Sequence, residues 1–585
     1  MIRARGPAVV ALTLGLISAA RADLIGGVES PGQRLRAAFE AYWDDEMRAD
    51  PLGATYNGDH RYDDRMPDPS EAAHDARVGR LRATRDAVDA ICPDTLGDQD
   101  RLDREVLIFL ADDRLARERF RAHLIPFTQQ EGLPLQFAQT GNFHPASTAG
   151  DVENYLRRLR GLPAAVDATI AVMRRGMAEG RVPPRVSMAK TVPQLRALAT
   201  ARPEDSPLWR IVDRLPRDWS GSTRDRARDD VRGAIAGAVA PAYARLADFV
   251  EKEYLPACRE GVGLRDSPDG AEHYAALARS FTTTDRSPDA IHAVGLAEVA
   301  RTRAAMDEVR RKVGFDGDLA AFLAHVRADP KLRAGDEAAI LARYRTILGE
   351  VDAKLPLLFG RLPRANYAIR TMEAYRAKSA PAGYYYPPPE DGSRPGYFYI
   401  NTSDSADRST QSMPALAYHE AVPGHHLQIA LAIEAPGRPG FRRFGYFPAF
   451  SEGWALYAEG LTREVGLAVD PYSELGRLEY NAWRSARLVV DTGMHHRGWT
   501  RDRAVDYLQA NTAMPRIEVE SEVDRYIAWP GQALAYKVGE LKIREIRARA
   551  EARLGPKFDI RAFHDRLLSQ GSIPLGILET MMASE

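Results

Sequence analysis

Apolar residues recur at three- and four-residue intervals among charged ones along most of this chain, the period of an amphipathic helix. Ser30-Pro31 opens such a run to about Ala49, with the proline suited to a first helical turn. The same period predicts helices over residues 69–90, 98–120, 152–177, 225–252, 288–313 and 335–355. From Tyr472 to the C-terminus the pattern stays helical with short breaks. Residues 394–401 depart from it: Tyr397, Phe398, Tyr399 and Ile400 are aromatic or β-branched and predict a short strand. Residues 261–270 and the Pro/Gly-rich 380–395 read as linkers. There is no fixed-period repeat. The expectation is a mainly α protein, divided near residue 280 into an N-terminal helical lobe (23–280) and a C-terminal lobe (281–585), since 585 residues exceed one ordinary domain.

The N-terminus breaks the amphipathic pattern. Arg3 and Arg5 precede an apolar run over residues 7–20, and Ala20-Arg21-Ala22 then supplies the small-x-small pattern of a signal-peptide cleavage site. About 14 apolar residues are too few to span a bilayer comfortably, which takes about 20. Residues 1–22 are therefore read as a signal peptide, with cleavage near Ala22 and a soluble periplasmic or secreted product without stable membrane insertion. No cysteine follows closely enough to carry a lipid anchor. Hydrophobic residues at 45% and charged residues at 28% suit a globular protein, and a net charge of −1 argues against nucleic acid as the main partner. Cys92 and Cys258 either form one disulfide or remain free thiols.

Chemistry concentrates in His419-Glu420-Ala421-Val422-Pro423-Gly424-His425-His426. Neutral imidazoles hold zinc, and a carboxylate beside them can take a proton from water at the metal. In His-Glu-x-x-His the imidazoles sit four apart on one helix face, but here that position is Pro423. His426 regains the face of His419 only two turns on, about 10 Å along a regular helix, too far for zinc bonds of about 2.0–2.1 Å. Pro423 and Gly424 make a regular helix improbable in any case. If residues 421–424 bulge outward, His425 becomes the second ligand, with His426 as the fallback. Downstream, Ser451-Glu452-Gly453-Trp454 reads as the start of an apolar helix, Ser451 being its candidate cap. Glu452 there is either a metal ligand or a carboxylate placed favourably in a first helical turn; Glu459 is the alternative ligand.

The stretches Pro395–Thr402 and Tyr418–Gln428, together with Ser451–Tyr457, Val490–His495 and Pro530–Lys537, resemble a bacterial family known as domain of unknown function 885. That family is distantly similar to the helical zinc peptidases of the thimet oligopeptidase and carboxypeptidase Taq type. Dipeptidyl peptidase III also tolerates an altered spacing between its two histidines. The resemblance implies a two-lobed zincin-like metallopeptidase with a deep cleft and a small β-sheet beside the active-site helix. It implies one Zn2+ per chain on His419, His425 and Glu452, with Glu420 as general base. It further implies Tyr536 or His495 as donor to a developing oxyanion, and an edge strand through Tyr397 and Tyr399 that pairs with a peptide substrate. Arg525 could bind a substrate carboxylate, or form a salt bridge with Asp524 or Asp491. Tyr384-Tyr385-Tyr386 would line the cleft or form a rigid surface loop. Two other classes fit the same residues: a zinc hydrolase of non-peptide or modified-peptide amides, and a helical binding protein without catalysis.

Overall fold

Capping and periodicity produce a mainly helical molecule. The computed structural model describes residues 29–583 apart from 201, 373–380, 391, 393, 404, 406 and 407, so the leader expected over residues 1–22 lies outside the described residues. Helix α1 (Pro31–Ala49) starts with a reciprocal cap: Ser30 Oγ accepts from the Gln33 backbone N–H at 3.2 Å, and Gln33 Oε1 accepts from the Ser30 N–H at 2.9 Å. It packs against α2 (Glu71–Asp89) and α3 (Asp98–Arg117). The long α4 (Ala149–Ala178) follows, then a helical stretch from Gly221 to Ala257 interrupted by π-turns at Ile235–Val239 and Val250–Tyr254. Next come α5 (Gly270–Thr282), α6 (Pro288–Lys312) and α7 (Glu337–Asp352). The C-terminal part adds α8 (Met413–Glu420), α9 (His425–Ile433), α10 (Pro448–Leu461), α11 (Pro471–His495), α12 (Arg516–Ala528) and α13 (Ala535–Leu554). Among the described residues, no helix is long and apolar enough to cross a membrane.

Burial does not part at residue 280. One core joins Leu35, Phe39 and Leu107 from α1 and α3 to Tyr344, Leu416, Trp454 and Ile543 from α7, α8, α10 and α13. A second is built between residues 52 and 258, around Leu156 and Leu159 of α4. The first three helices thus help to wall the region that contains the histidine motif. The expected linker at 261–270 is packed down: Leu264 is buried, and its N–H donates to His495 Nδ1 at 3.0 Å. Cys92 is exposed and Cys258 buried, both as free thiols, so they form no disulfide.

The other expected linker, 380–395, carries a strand. β1 (Tyr367–Thr371), β2 (Gly383–Tyr386) and β3 (Gly396–Ile400) form one sheet in the order β1-β3-β2, with β3 parallel to β1 and antiparallel to β2. The predicted strand exists, but β3 is central and cannot be the edge that receives a substrate. Its alternation puts Phe398 and Ile400 into the core, Phe398 against Tyr344 with ring centres 5.3 Å apart. The margin of the sheet on the α8 side is β2.

Candidate metal site and its cavity

The histidine motif forms two helices rather than one bulged helix. α8 ends at Glu420, residues 421–424 turn through a cis Val422–Pro423 peptide, and α9 begins at His425. The His426 N–H donates to the Ala421 carbonyl at 3.0 Å, and Trp454 Nε1 donates to the Pro423 carbonyl at 2.9 Å, closing the turn onto α10. A methyl group on Gly424 would fall on the carbonyl oxygens of Tyr418 and His419, which accounts for the glycine. The turn sets the His419 and His425 rings nearly perpendicular, centres 4.8 Å apart. His419 Nε2 and His425 Nε2 each lie 3.4 Å from Glu452 Oε2. That is longer than a charge-assisted hydrogen bond of about 2.7–2.9 Å. It matches the roughly 3.4 Å between ligand atoms that tetrahedral bonds of about 2.1 Å require.

Outer contacts hold two of the three converging groups, His419 and Glu452, in place. His419 Nδ1 meets Glu459 Oε1 at 2.9 Å, with both groups buried, so Glu459 orients a candidate ligand and is not one of the three converging groups. Tyr446 donates its hydroxyl hydrogen to Glu452 Oε1 at 2.9 Å, an interaction absent from the sequence reading. Because α10 starts at Pro448, Ser451 lies inside the helix and Glu452 sits in its second turn, so neither the cap nor the first-turn carboxylate materialises. Burial opposes charge on His419, yet hydrogen bonding to Glu452 and Glu459 and the charge of Glu420 hold it up to about 9. Burial alone would raise Glu452, but His425 and His419 reverse this and keep its carboxyl well below the usual range. His426 faces away: Nε2 donates to the Ala365 carbonyl at 3.0 Å, Nδ1 accepts from the Tyr385 hydroxyl at 2.9 Å, and burial lowers it to about 4.

His419, Glu420, His425 and Glu452 border a cavity of about 1350 Å³, with Tyr446 and Tyr536. The Tyr536 hydroxyl oxygen accepts from Arg525 Nη2 at 3.3 Å and Gln532 Nε2 at 3.4 Å. Arg525 also lines the cavity, but its ionic partner is Glu522 at 3.3 Å; Asp524 pairs with Arg501 and Lys190, and Asp491 accepts from Tyr274 and the Gly531 N–H. His495 is not part of the site. It is completely buried, Nδ1 accepting from the Leu264 N–H and Nε2 donating to the Tyr526 carbonyl at 3.0 Å, and burial depresses it to about 3. Tyr397 and Tyr399 do not border the cavity either: Tyr397 Oη accepts from Arg370 at 2.8 Å, and Tyr399 stacks on Tyr384. Tyr384 and Tyr385 of β2 take their place in the lining.

Residues 51–582 match the family described as "Bacterial protein of unknown function (DUF885)". This chain belongs to the DUF885 family. The DUF885 match spans every residue of the constellation, from Tyr385 to Tyr536. A crystal structure of a "putative lipoprotein" from Colwellia psychrerythraea is 28% identical, with a TM-score of 0.91, over 95% of this chain and 99% of that one. A second "putative lipoprotein of unknown function", from Shewanella oneidensis, shares the fold at 19% identity and a TM-score of 0.72, over 95% of this chain and 100% of its own. No curated protein matches this DUF885 chain.

Proposed function

We propose that this DUF885 protein is an exported zinc-dependent metallopeptidase that hydrolyses peptide bonds of oligopeptides, in a two-lobed zincin-like frame whose cleft is the cavity just described. The observation that supports it is the meeting of His419 Nε2, His425 Nε2 and Glu452 Oε2 on the cavity wall beside Glu420. Two imidazoles and one carboxylate, with a second carboxylate on an imidazole's far nitrogen, suit zinc and leave one coordination position open. Zinc bound there would polarise a substrate carbonyl and acidify a water ligand. Glu420 takes the proton of the attacking water and passes it to the departing amine. Since Tyr536 Oη already accepts two hydrogen bonds, its own hydrogen is available to the carbonyl oxygen that gains charge. β2 lies along the cavity, where main-chain groups can align an extended peptide. Export is proposed from the apolar run over residues 7–20 with the cleavage pattern ending at Ala22, and from structural relatives named as putative lipoproteins.

Metal analysis with a matched pair of variants tests this reading. The unsubstituted protein and Glu420→Gln should each carry about one zinc per chain, and His419→Ala none. Glu420→Gln should lose about 10²–10⁴-fold in kcat on an oligopeptide mixture. No metal after zinc is supplied would overturn the zinc assignment, and retained turnover in Glu420→Gln would remove Glu420 as the base.

A further inference from the structure

One face of α11 contributes Glu479, Tyr480, Trp483, Arg484 and Arg487 to the cavity wall. Arg487 forms an ion pair with Glu522 at 3.0 Å and donates from Nε to the Tyr526 hydroxyl oxygen at 2.9 Å, so that only its Nη1 lacks an acceptor among the described residues. Arg484 has no counterpart to these contacts among the described residues. It is only 4% exposed, forms no ion pair, and its Nε and Nη1 are buried without a hydrogen-bond acceptor. Its guanidinium lies 4.2 Å from the ring centre of Trp483 and 4.5 Å from that of Tyr480. Aromatic faces stabilise a cation but leave its in-plane N–H donors unmet.

A buried cation with unmet donors is costly until an anion arrives. The planar guanidinium fork matches the two oxygens of a carboxylate. Two carboxyls of the same cavity wall do not pair with it: Glu479 accepts from Gln411 at 3.2 Å and is held up to about 7 by burial, and Glu518, also raised by burial, forms no ion pair among the described residues. The position is connected to the metal site. Arg487 lies 4.1 Å from the Trp483 ring centre and 4.3 Å from that of Tyr536, so Arg484 stands one aromatic ring beyond the pair that reaches Tyr536.

We propose that Arg484 is a substrate-specificity residue that binds a carboxylate of the peptide. This rests on the peptidase reading and narrows it to substrates with an anionic group at a set distance from the bond that is cut. A free C-terminus and an Asp or Glu side chain offer the same chemistry.

Calorimetry on the full Glu420→Gln chain separates the two sources with three probes: acetyl-tetraalanine as the free acid, its C-terminal amide, and an amidated peptide containing one Glu. The free acid should bind about tenfold or more tightly than the amide. Recovery of that affinity by the Glu-containing amide would assign the site to a side-chain carboxylate. Arg484→Met should abolish the preference, and Arg484→Lys should restore part of it, which excludes misfolding as the cause. Equal binding of all three probes, or a preference that survives Arg484→Met, overturns the proposal. Hydrolysis by the unsubstituted protein is scored in parallel. Cleavage indifferent to carboxylates would defeat the Arg484 assignment alone. Carboxylate-selective binding without cleavage would defeat the peptidase reading alone.

Discussion

Tyr446 holds one oxygen of Glu452 while the two imidazoles face the other, so the phenol fixes which lone pairs the carboxylate presents. Tyr446→Phe should lower zinc affinity about 10–100-fold with the fold intact, as measured by competition with a calibrated chelator. Nothing in the sequence announced Tyr446, because it precedes α10 in a loop where no spacing rule relates it to Glu452. The convergence of His419, His425 and Glu452 was legible because imidazoles and buried carboxylates at such density have few uses other than meeting at one point. The choice of His425 over His426 depended on the path of residues 421–424, where helical phase is lost and periodicity stops predicting direction. His495 misled for the opposite reason. Its polar neighbours Asp491 and Thr492 look like a site, yet they satisfy buried donors on Tyr274, Gly531 and His292.

Glu452 owes its position to a close helix crossing. A side chain on Gly453 would meet the Gly539 backbone at 2.5 Å, and one on Gly539 would strike the Ala449 carbonyl, so α10 and α13 touch backbone to backbone beside the ligand. Gly539→Ala should push α10 outward and destabilise the protein by about 1–3 kcal/mol. It should also weaken zinc binding, although residue 539 touches no ligand. Urea unfolding together with zinc titration checks both effects. Such crossings were invisible in the sequence, as was the place of β3. Alternation along Tyr397-Phe398-Tyr399-Ile400 identifies a strand, but which strand becomes the margin depends on distant segments that pair with it. The turn-forming composition of 380–395 concealed β2 in the same way.

Long-range packing also governs how the whole chain responds to acid. Burial holds His144 at about 3, His273 at about 4, His495 at about 3 and His564 at about 4, all below the usual 6.5. Below pH 6.5 the unfolded chain therefore binds protons that the folded one refuses. Their contribution to stability is complete above pH 6.5 and is lost as pH falls toward 4 and then 3. The urea midpoint should drop steadily over that range, and His495→Gln should flatten the slope by about one proton. The helical class was readable from periodicity alone. The division at residue 280 did not foresee that α1–α3 would pack around the metal-site helices, because loop composition reports where a chain can bend and not which faces it buries together.

The three candidate ligand atoms reside on α8, α9 and α10, which approach one another through a turn built on Gly424 and a glycine crossing at 453 and 539. Under the proposed zinc reading, an ion shared by them would be a cross-link as well as a reagent. Its binding energy adds to the cohesion of three helices in proportion to RT ln(1 + [L]/Kd). If zinc is bound there as proposed, chelation would loosen the middle of the C-terminal half before any question of turnover arises, and the supply of metal would set how long the protein endures.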